Sequence, residues 1–453
     1  MIGEVDVKGK RFIGMQVHAH DLKDEGAETV LKNMDEKAHV TNVFPTANYI
    51  EERHPYPRGT LPHNPKRSVY FSKGGLYFKF QNHYYEKTKL MPLRTTEEGM
   101  KEFDALKATT EAAGSVGMNV FPWIIALNDP VLAYAYPTHN MIDVFGNRVS
   151  DWLCPNSRDV RNYVVGIVKN ILEEYEVSGL FLDRIRYPTR INRENEFGDA
   201  FSCFCRNCQR QAREKRLDLL HIRNELRKIL KVAKTKLLRA VETYDSIRTG
   251  CLDVAKFFID NNDLAKWIQF RQSSINDLVE EVQFAARATN DGVEFSLDLW
   301  PPSYSWLLGQ SYRNLSRLCD SLKLFPYHKL GGGVDISVLF DELQGIIPNL
   351  EVDKCLRLFY RFFGFRGPKN LTQFRTEGFP SDFVYNETLK AMGEIQKHIE
   401  VYVGVQLWNI TRAEIKETLA KIVKANPRGI IYYCYGWAPF ENFEAAGSFV
   451  KNV

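Results

Sequence analysis

Ser178-Gly179-Leu180-Phe181-Leu182-Asp183-Arg184-Ile185-Arg186-Tyr187-Pro188 is a short apolar run that ends abruptly in charge. Gly179–Leu182 shows no polar alternation, which is how a strand buried on both faces of a parallel sheet reads. Working outward, seven further runs have the same character: Phe12–Val17, Val40–Phe44, Asn119–Ile124, Val293–Leu297, Ser321–Leu324, Val401–Leu407 and Gly429–Cys434. Helical patterns such as Thr96–Ala113, Ser157–Tyr175 and Arg412–Ala425 lie between them, with Pro or Gly punctuation. Eight strands alternating with helices predict an α/β fold of the (β/α)8 TIM-barrel type, with an open doubly wound sheet as the competitor.

Two intervals exceed plain crossovers. Residues 46–95 carry a Pro- and Tyr-rich stretch that reads as a hairpin-bearing loop, with Lys73-Gly74-Gly75 as its turn. Residues 188–290 hold a cysteine cluster and the strongly helical LDLLHIRNELRKILKVAKTKLLRAVETY. Both are expected to be insertions, after strands 2 and 4, that wall the C-terminal face of one barrel domain spanning 1–453. Crowding at that face favours a pocket and exo-action over an open groove.

Composition narrows the function. The 453 residues carry 60 Lys+Arg against 56 Asp+Glu, a formal charge of +4. That balance argues against a general nucleic-acid binder. No apolar stretch reaches the ~20 residues of a membrane span, and apolar segments recur throughout, which excludes disorder. The N-terminal MIGEVDVKGKRFIG lacks the apolar core of a secretory signal. The expectation is a cytoplasmic protein, or a secreted or periplasmic one whose leader has been removed.

Strand C-termini point their polar residues into a barrel's catalytic mouth. Here they offer His18 and His20, Asn48, Trp123, then Asp183, Arg184, Arg186 and Tyr187, then Asp298 and Trp300, then Lys323, Tyr327 and His328, then Gln406 and Trp408, and finally Tyr433, Tyr435 and Trp437. Four of the seven tryptophans fall at these ends, and flat indoles suit the faces of sugar rings. Carboxylates are scarce there: Asp183 and Asp298 are the pair, and glycosidic cleavage needs two. Arg184, Arg186 and Lys323 hint at an anionic sugar such as a uronate or sialic acid. His18 and His20, with His328, also fit a metal-dependent amidohydrolase, the weaker reading, since the Asp that such a site expects on the eighth strand is missing. A catalytically inactive sugar-binding barrel is the third reading.

Cys203, Cys205 and Cys208 form C-x-C-x-x-C. Three such thiolates suit a structural zinc ion, with Cys154, an Asp or a His as the fourth ligand. A disulfide with a spare thiol and buried free cysteines are the alternatives.

The stretches SGLFLDRIRYP and FSCFCRNCQRQA, with LPHNPKRSVYF, LCPNSRDVRNYV, FPWI, LFPY and YYCYGW, resemble those of uncharacterised glycoside-hydrolase-like TIM-barrel families, distant relatives of the alpha-amylase-type and alpha-galactosidase-type clans. The resemblance spans roughly residues 10–440. It implies a glycoside hydrolase acting on an oligosaccharide or glycoconjugate, with Asp183 as nucleophile and Asp298 as the fifth-strand acid. It implies a carbohydrate substrate and no catalytic cofactor; an oligomeric state does not follow from it. The sequence departs from the amylase pattern at Phe181, where an Arg is usual, at Asp298, where a Glu is, and at Gln406 and Trp408, where the seventh strand usually carries an Asp.

Overall fold

A computed structural model describes residues 12–52, 59–190, 198–244, 256, 259–330, 340–341, 344 and 351–451, excepting the side chains of 232–244 and 362–363. Its centre is a ring of eight parallel strands. In chain order they are β1 (Phe12–Val17), β2 (Asn42–Pro45), β3 in two pieces (Asn119–Val120 and Trp123–Ile125), β4 (Gly179–Asp183), β5 (Glu294–Leu299), β6 (Ser321–Leu324), β7 (Glu400–Gln406) and β8 (Gly429–Tyr433). β1 pairs with both β2 and β8, so the first and last strands meet. The break in β3 falls at Phe121-Pro122. The Asn119–Val120 piece pairs with β2, the Trp123–Ile125 piece pairs with β4, and the ring closes through them. The remaining neighbours follow in order from β4 to β8. The protein is therefore a TIM barrel. Every residue of β4 is buried, as a strand packed inside and outside must be.

The outer layer follows the usual helix rules. Arg412–Ala425 starts on a capping box in which Thr411 and Glu414 satisfy each other's backbone N–H groups, and it ends on left-handed Asn426. The expected Thr96–Ala113 helix begins later, at Ala105, because Asp104 caps it by accepting from the Lys107 N–H. The helix Asn262–Thr289 packs on Arg158–Glu174 and returns the chain to β5.

After β2, Asn48–Glu51 pairs antiparallel with Lys73–Leu76. Lys73-Gly74-Gly75 thus lies inside a strand and is not the turn expected from its sequence. The glycines answer a different need. A Cβ on Gly74 would stand 2.7 Å from the Glu51 nitrogen, and one on Gly75 would stand 2.8 Å from the Leu93 carbonyl oxygen, at φ of +70° and +90°. A second antiparallel pair, Asn140–Ile142 with Arg148–Leu153, follows β3 and was not visible as periodicity. Its turn is organised by Asp143, which accepts from the N–H groups of Phe145, Gly146 and Asn147. Between β6 and β7 the described residues include the helices Val352–Phe363, Leu371–Glu377 and Asp382–Glu394, around an aromatic cluster containing Phe359, Phe374 and Phe379. Among the described residues no helix is long and apolar enough to cross a membrane.

Candidate active site

Parallel register places Asp298 beside Lys323, and Leu297 beside Leu182 one step before Asp183. The two acidic residues therefore leave adjacent strands at the same level, at the C-terminal end of the ring. Trp123, on the neighbouring β3, donates its indole N–H to Asp183 Oδ2 at 3.0 Å, and the Arg184 backbone N–H donates to Oδ1. Both oxygens are thus oriented, while 9% of the residue stays open to solvent. Neither neighbouring guanidinium seals it. Arg184 donates to Asn128 Oδ1. Arg186 donates to the Tyr187 carbonyl and lies over the indoles of Trp152 and Trp300, at 4.6 and 5.3 Å.

Asp298 sits deeper, 4% exposed. Lys323 Nζ donates to its Oδ2 at 3.3 Å and, from across the barrel, to Gln16 Oε1 at 2.6 Å. Oδ1 of Asp298 has no hydrogen-bond partner among the described residues. Burial pushes the Asp298 carboxyl up to about 8; Lys323 opposes the rise and nearby Asp183 adds to it. A carboxyl group that keeps its proton at neutral pH, beside a second carboxyl held by hydrogen-bond donors, is the arrangement that acid-and-nucleophile chemistry needs. Burial likewise lowers Lys323, against the pull of Asp298.

Above the pair the aromatic side chains close on one another. His18 lies 5.4 Å from Trp123 and 6.1 Å from Trp437; Trp437 meets Trp408 at 5.7 Å; Trp408 meets Tyr327 at 5.2 Å; Tyr327 stacks on Tyr433 at 5.7 Å, and Tyr433 returns to Trp123 at 5.9 Å. Trp300 joins the same chain of rings from its edge: it meets Phe325 at 5.7 Å, which stacks on Tyr327 at 5.9 Å, and it also faces Tyr304 and Arg186. The Tyr327 hydroxyl is buried without a partner among the described residues. His20 stacks on Tyr70, with its Nε2 3.1 Å from Asp21. Burial raises the Asp21 carboxyl, but His20, His18 and His63 outweigh it and leave the group below its usual range.

Other expected site residues serve the frame. Both amide atoms of Asn48 bond the Ile125 backbone, stitching the antiparallel pair to β3. His328 faces outward to Thr418, with burial pulling it down to about 4. Tyr435 turns to Glu25 and Asn33 in the helical layer. Gln406 holds the Lys329 N–H and the Trp408 carbonyl. Tyr187 is fully buried under the Arg271 guanidinium, 4.2 Å away. Of the residues sequence reading passed over, Gln16 had a signal, as a lone polar side chain within an apolar strand. Tyr49, at 4.6 Å from His18, and Tyr70 had none, since they lie in the excursion after β2.

Cys154 immediately follows the second antiparallel pair and approaches Cys203, Cys205 and Cys208; the four sulfurs lie within 4.8 Å of one another. This is the only His/Cys/Asp/Glu group arranged to hold a metal among the described residues, and His18 and His20 are not part of it. Two cavities, of about 400 Å³ beside Arg213 and Arg216 and about 80 Å³ beneath Phe12 and Gly429, contain none of the strand-end residues.

No family model and no curated protein matches the chain. Solved structures do. The alpha-L-fucosidase isoenzyme 2 of Paenibacillus thiaminolyticus shares 14% identity over 98% of this chain and 49% of its own, at a TM-score of 0.52. The beta-amylase catalytic domain of Paenibacillus polymyxa shares 11% over 97% and 98%, at 0.51. The beta-galactosidase of Halorubrum lacusprofundi shares 12% over 97% and 57%, at 0.52. The chain thus spans about half the length of the fucosidase it matches. The shared property is the barrel fold, common to these glycoside hydrolases.

Proposed function

We propose that the protein is a glycoside hydrolase in which Asp183 attacks the anomeric carbon and Asp298 protonates the leaving oxygen. The observation that carries this reading is the pairing of the two carboxyl groups on β4 and β5. One has both oxygens oriented by donors; the other is buried, proton-retaining and has Oδ1 unpartnered among the described residues. In the first half-reaction a bond forms from Asp183 to the sugar carbon as the glycosidic bond breaks, and the Asp298 proton goes to the departing oxygen. Water then hydrolyses the glycosyl-enzyme, with Asp298 taking a proton back. Trp123, Trp408 and Trp437 supply apolar faces for the ring, and Trp123 also fixes the nucleophile.

Barrels of this fold occur in a fucosidase, a beta-amylase and beta-galactosidases, which supports the class of reaction and selects no sugar. An anionic sugar would draw on Arg184, since Arg186 and Lys323 are already engaged by indoles and by Asp298 with Gln16. A pocket walled by the segments after β2 and β4 would favour removal of terminal residues. The test is hydrolysis of a broad panel of aryl glycosides, uronides and sialosides included, by the wild type, Asp183→Asn and Asp298→Asn. Turnover of one class by the wild type and its loss in Asp183→Asn is expected. Hydrolysis undiminished in Asp183→Asn would end the assignment.

A further inference from the structure

We propose that Cys154, Cys203, Cys205 and Cys208 bind a structural zinc ion and that buried Arg271 is the counter-charge of the resulting tetrathiolate. The inference does not depend on the glycosidase reading. Two separated segments deliver the ligands, Cys154 from just past the antiparallel pair after β3 and the other three from the segment after β4. Cys154 Sγ lies 3.4 Å from Cys205 Sγ and 3.5 Å from Cys208 Sγ, and no disulfide joins them. A regular tetrahedron with Zn–S bonds of about 2.3 Å has sulfur–sulfur edges of about 3.8 Å, so the 3.4 and 3.5 Å edges at Cys154 would open by only a few tenths of an ångström to accept the ion.

Two of the sulfurs accept hydrogen bonds from outside the quartet. The Ile142 N–H donates to Cys203 Sγ and the Asn156 amide donates to Cys208 Sγ, both at 3.3 Å. Asn156 is itself held with its N–H₂ toward the sulfur, because Arg161 donates to its Oδ1 at 3.1 Å. Such outer partners fix the ligands around a bound metal.

Charge supplies an independent argument. Four thiols binding Zn²⁺ release four protons and leave a site of net charge −2. Arg271 is 2% exposed, lies 4.2 Å over Tyr187 and 4.4 Å over Trp267, and its Nε and one Nη have no hydrogen-bond partner among the described residues. Among the described residues, the groups acting on its charge are Tyr187, Tyr304 and Cys203, none of them a carboxylate. A buried guanidinium without an anion is costly; a zinc tetrathiolate beside it resolves the imbalance. Through Tyr187 the same guanidinium touches the segment that carries Asp183, so the ion would anchor the end of β4.

The experiment uses the full chain purified without chelator. Elemental analysis should find about one zinc per chain, with the four thiols shielded from a thiol reagent until a chelator is added. Cys205→Ser should lose the metal. Arg271→Met should keep it but raise the zinc Kd, measured by chelator competition, about 10–100-fold. Should Cys205→Ser fail to fold, cobalt loading of the wild type decides: strong sulfur-to-cobalt absorption supports the site, and its absence refutes it. Metal-free protein with reactive thiols, a mass lower by two hydrogens from a disulfide, or iron in place of zinc would each overturn the proposal. An unchanged Kd in Arg271→Met would remove the counter-charge role.

Discussion

Asp298 shows how position sets the chemistry of a single side chain. It and Asp183 are the same residue type on adjacent strands, yet Asp298 sits deeper and burial holds its proton up to about pH 8. If Asp298 is the acid, activity falls as pH rises through about 8, and Asp298→Asn loses that limb. The variant should lose about 10²–10⁴-fold on poor leaving groups and much less on activated aryl glycosides. An equal loss on both would deny it the proton-donor role. Asp183→Asn should cost about 10³-fold or more on every leaving group while its thermal unfolding stays close to wild type. The same shift has a stability consequence. Because the folded-state value lies above the unfolded one, the native chain binds the extra proton between about pH 4 and 8, so stability falls as pH rises through that window. Asp298→Asn is free of this penalty. Its Tm relative to wild type should therefore climb between pH 5 and 8 and level off above; a constant difference would contradict the shift. Both carboxyl groups were legible in sequence, as the charge that ends an apolar run. Tyr435 and His328 misled, because beyond a strand's last residue the chain turns and alternation no longer predicts direction.

Among elements, the strands announced themselves and the excursions did not. A strand buried on both faces is written as uninterrupted apolar sequence, so all eight were readable to within about two residues; Phe121-Pro122 hid the break in β3. Lys73-Gly74-Gly75 spelled a turn yet lies in a strand, because glycine is called for equally by a reversal and by a close approach of backbone. The distinction is testable. Gly74→Ala meets the Glu51 nitrogen at 2.7 Å and a φ of +70°, and should destabilise by about 1–3 kcal/mol, read as a lower midpoint in urea. Gly117→Ala carries a similar φ of +66° but has open space around it, and should cost no more than about 1–2 kcal/mol. Equal costs would place the strain in the backbone alone. Asp104→Ala should remove about 1 kcal/mol by uncapping Ala105–Val116.

For the whole molecule, closure of the ring is the organising fact. Strand count and βα alternation pointed to it, whereas the hairpin after β3 carries no periodic signature; Val352–Phe363 does repeat apolar residues at helical spacing, at Val352, Cys355, Leu356 and Phe359, and sequence reading passed over it. Cys154 shows the limit: a cysteine fifty residues from the C-x-C-x-x-C run joins it only because both segments leave neighbouring strands. Deleting residues 429–451 would strip β1 and β7 of their shared neighbour and expose two unpaired edges. The truncated chain should aggregate, with no monomer peak on size exclusion; a soluble, folded monomer would show that closure is dispensable.

The pairing of Phe12 with Gly429 also sets a clock. A ribosome releases the chain from its beginning, at roughly 5–20 residues per second. β1 must therefore wait roughly 20–80 s for the partner that will cover its second edge. During that interval the uncovered edge of an apolar strand is open to pairing with any passing strand, a hazard that ends only when the last strand arrives.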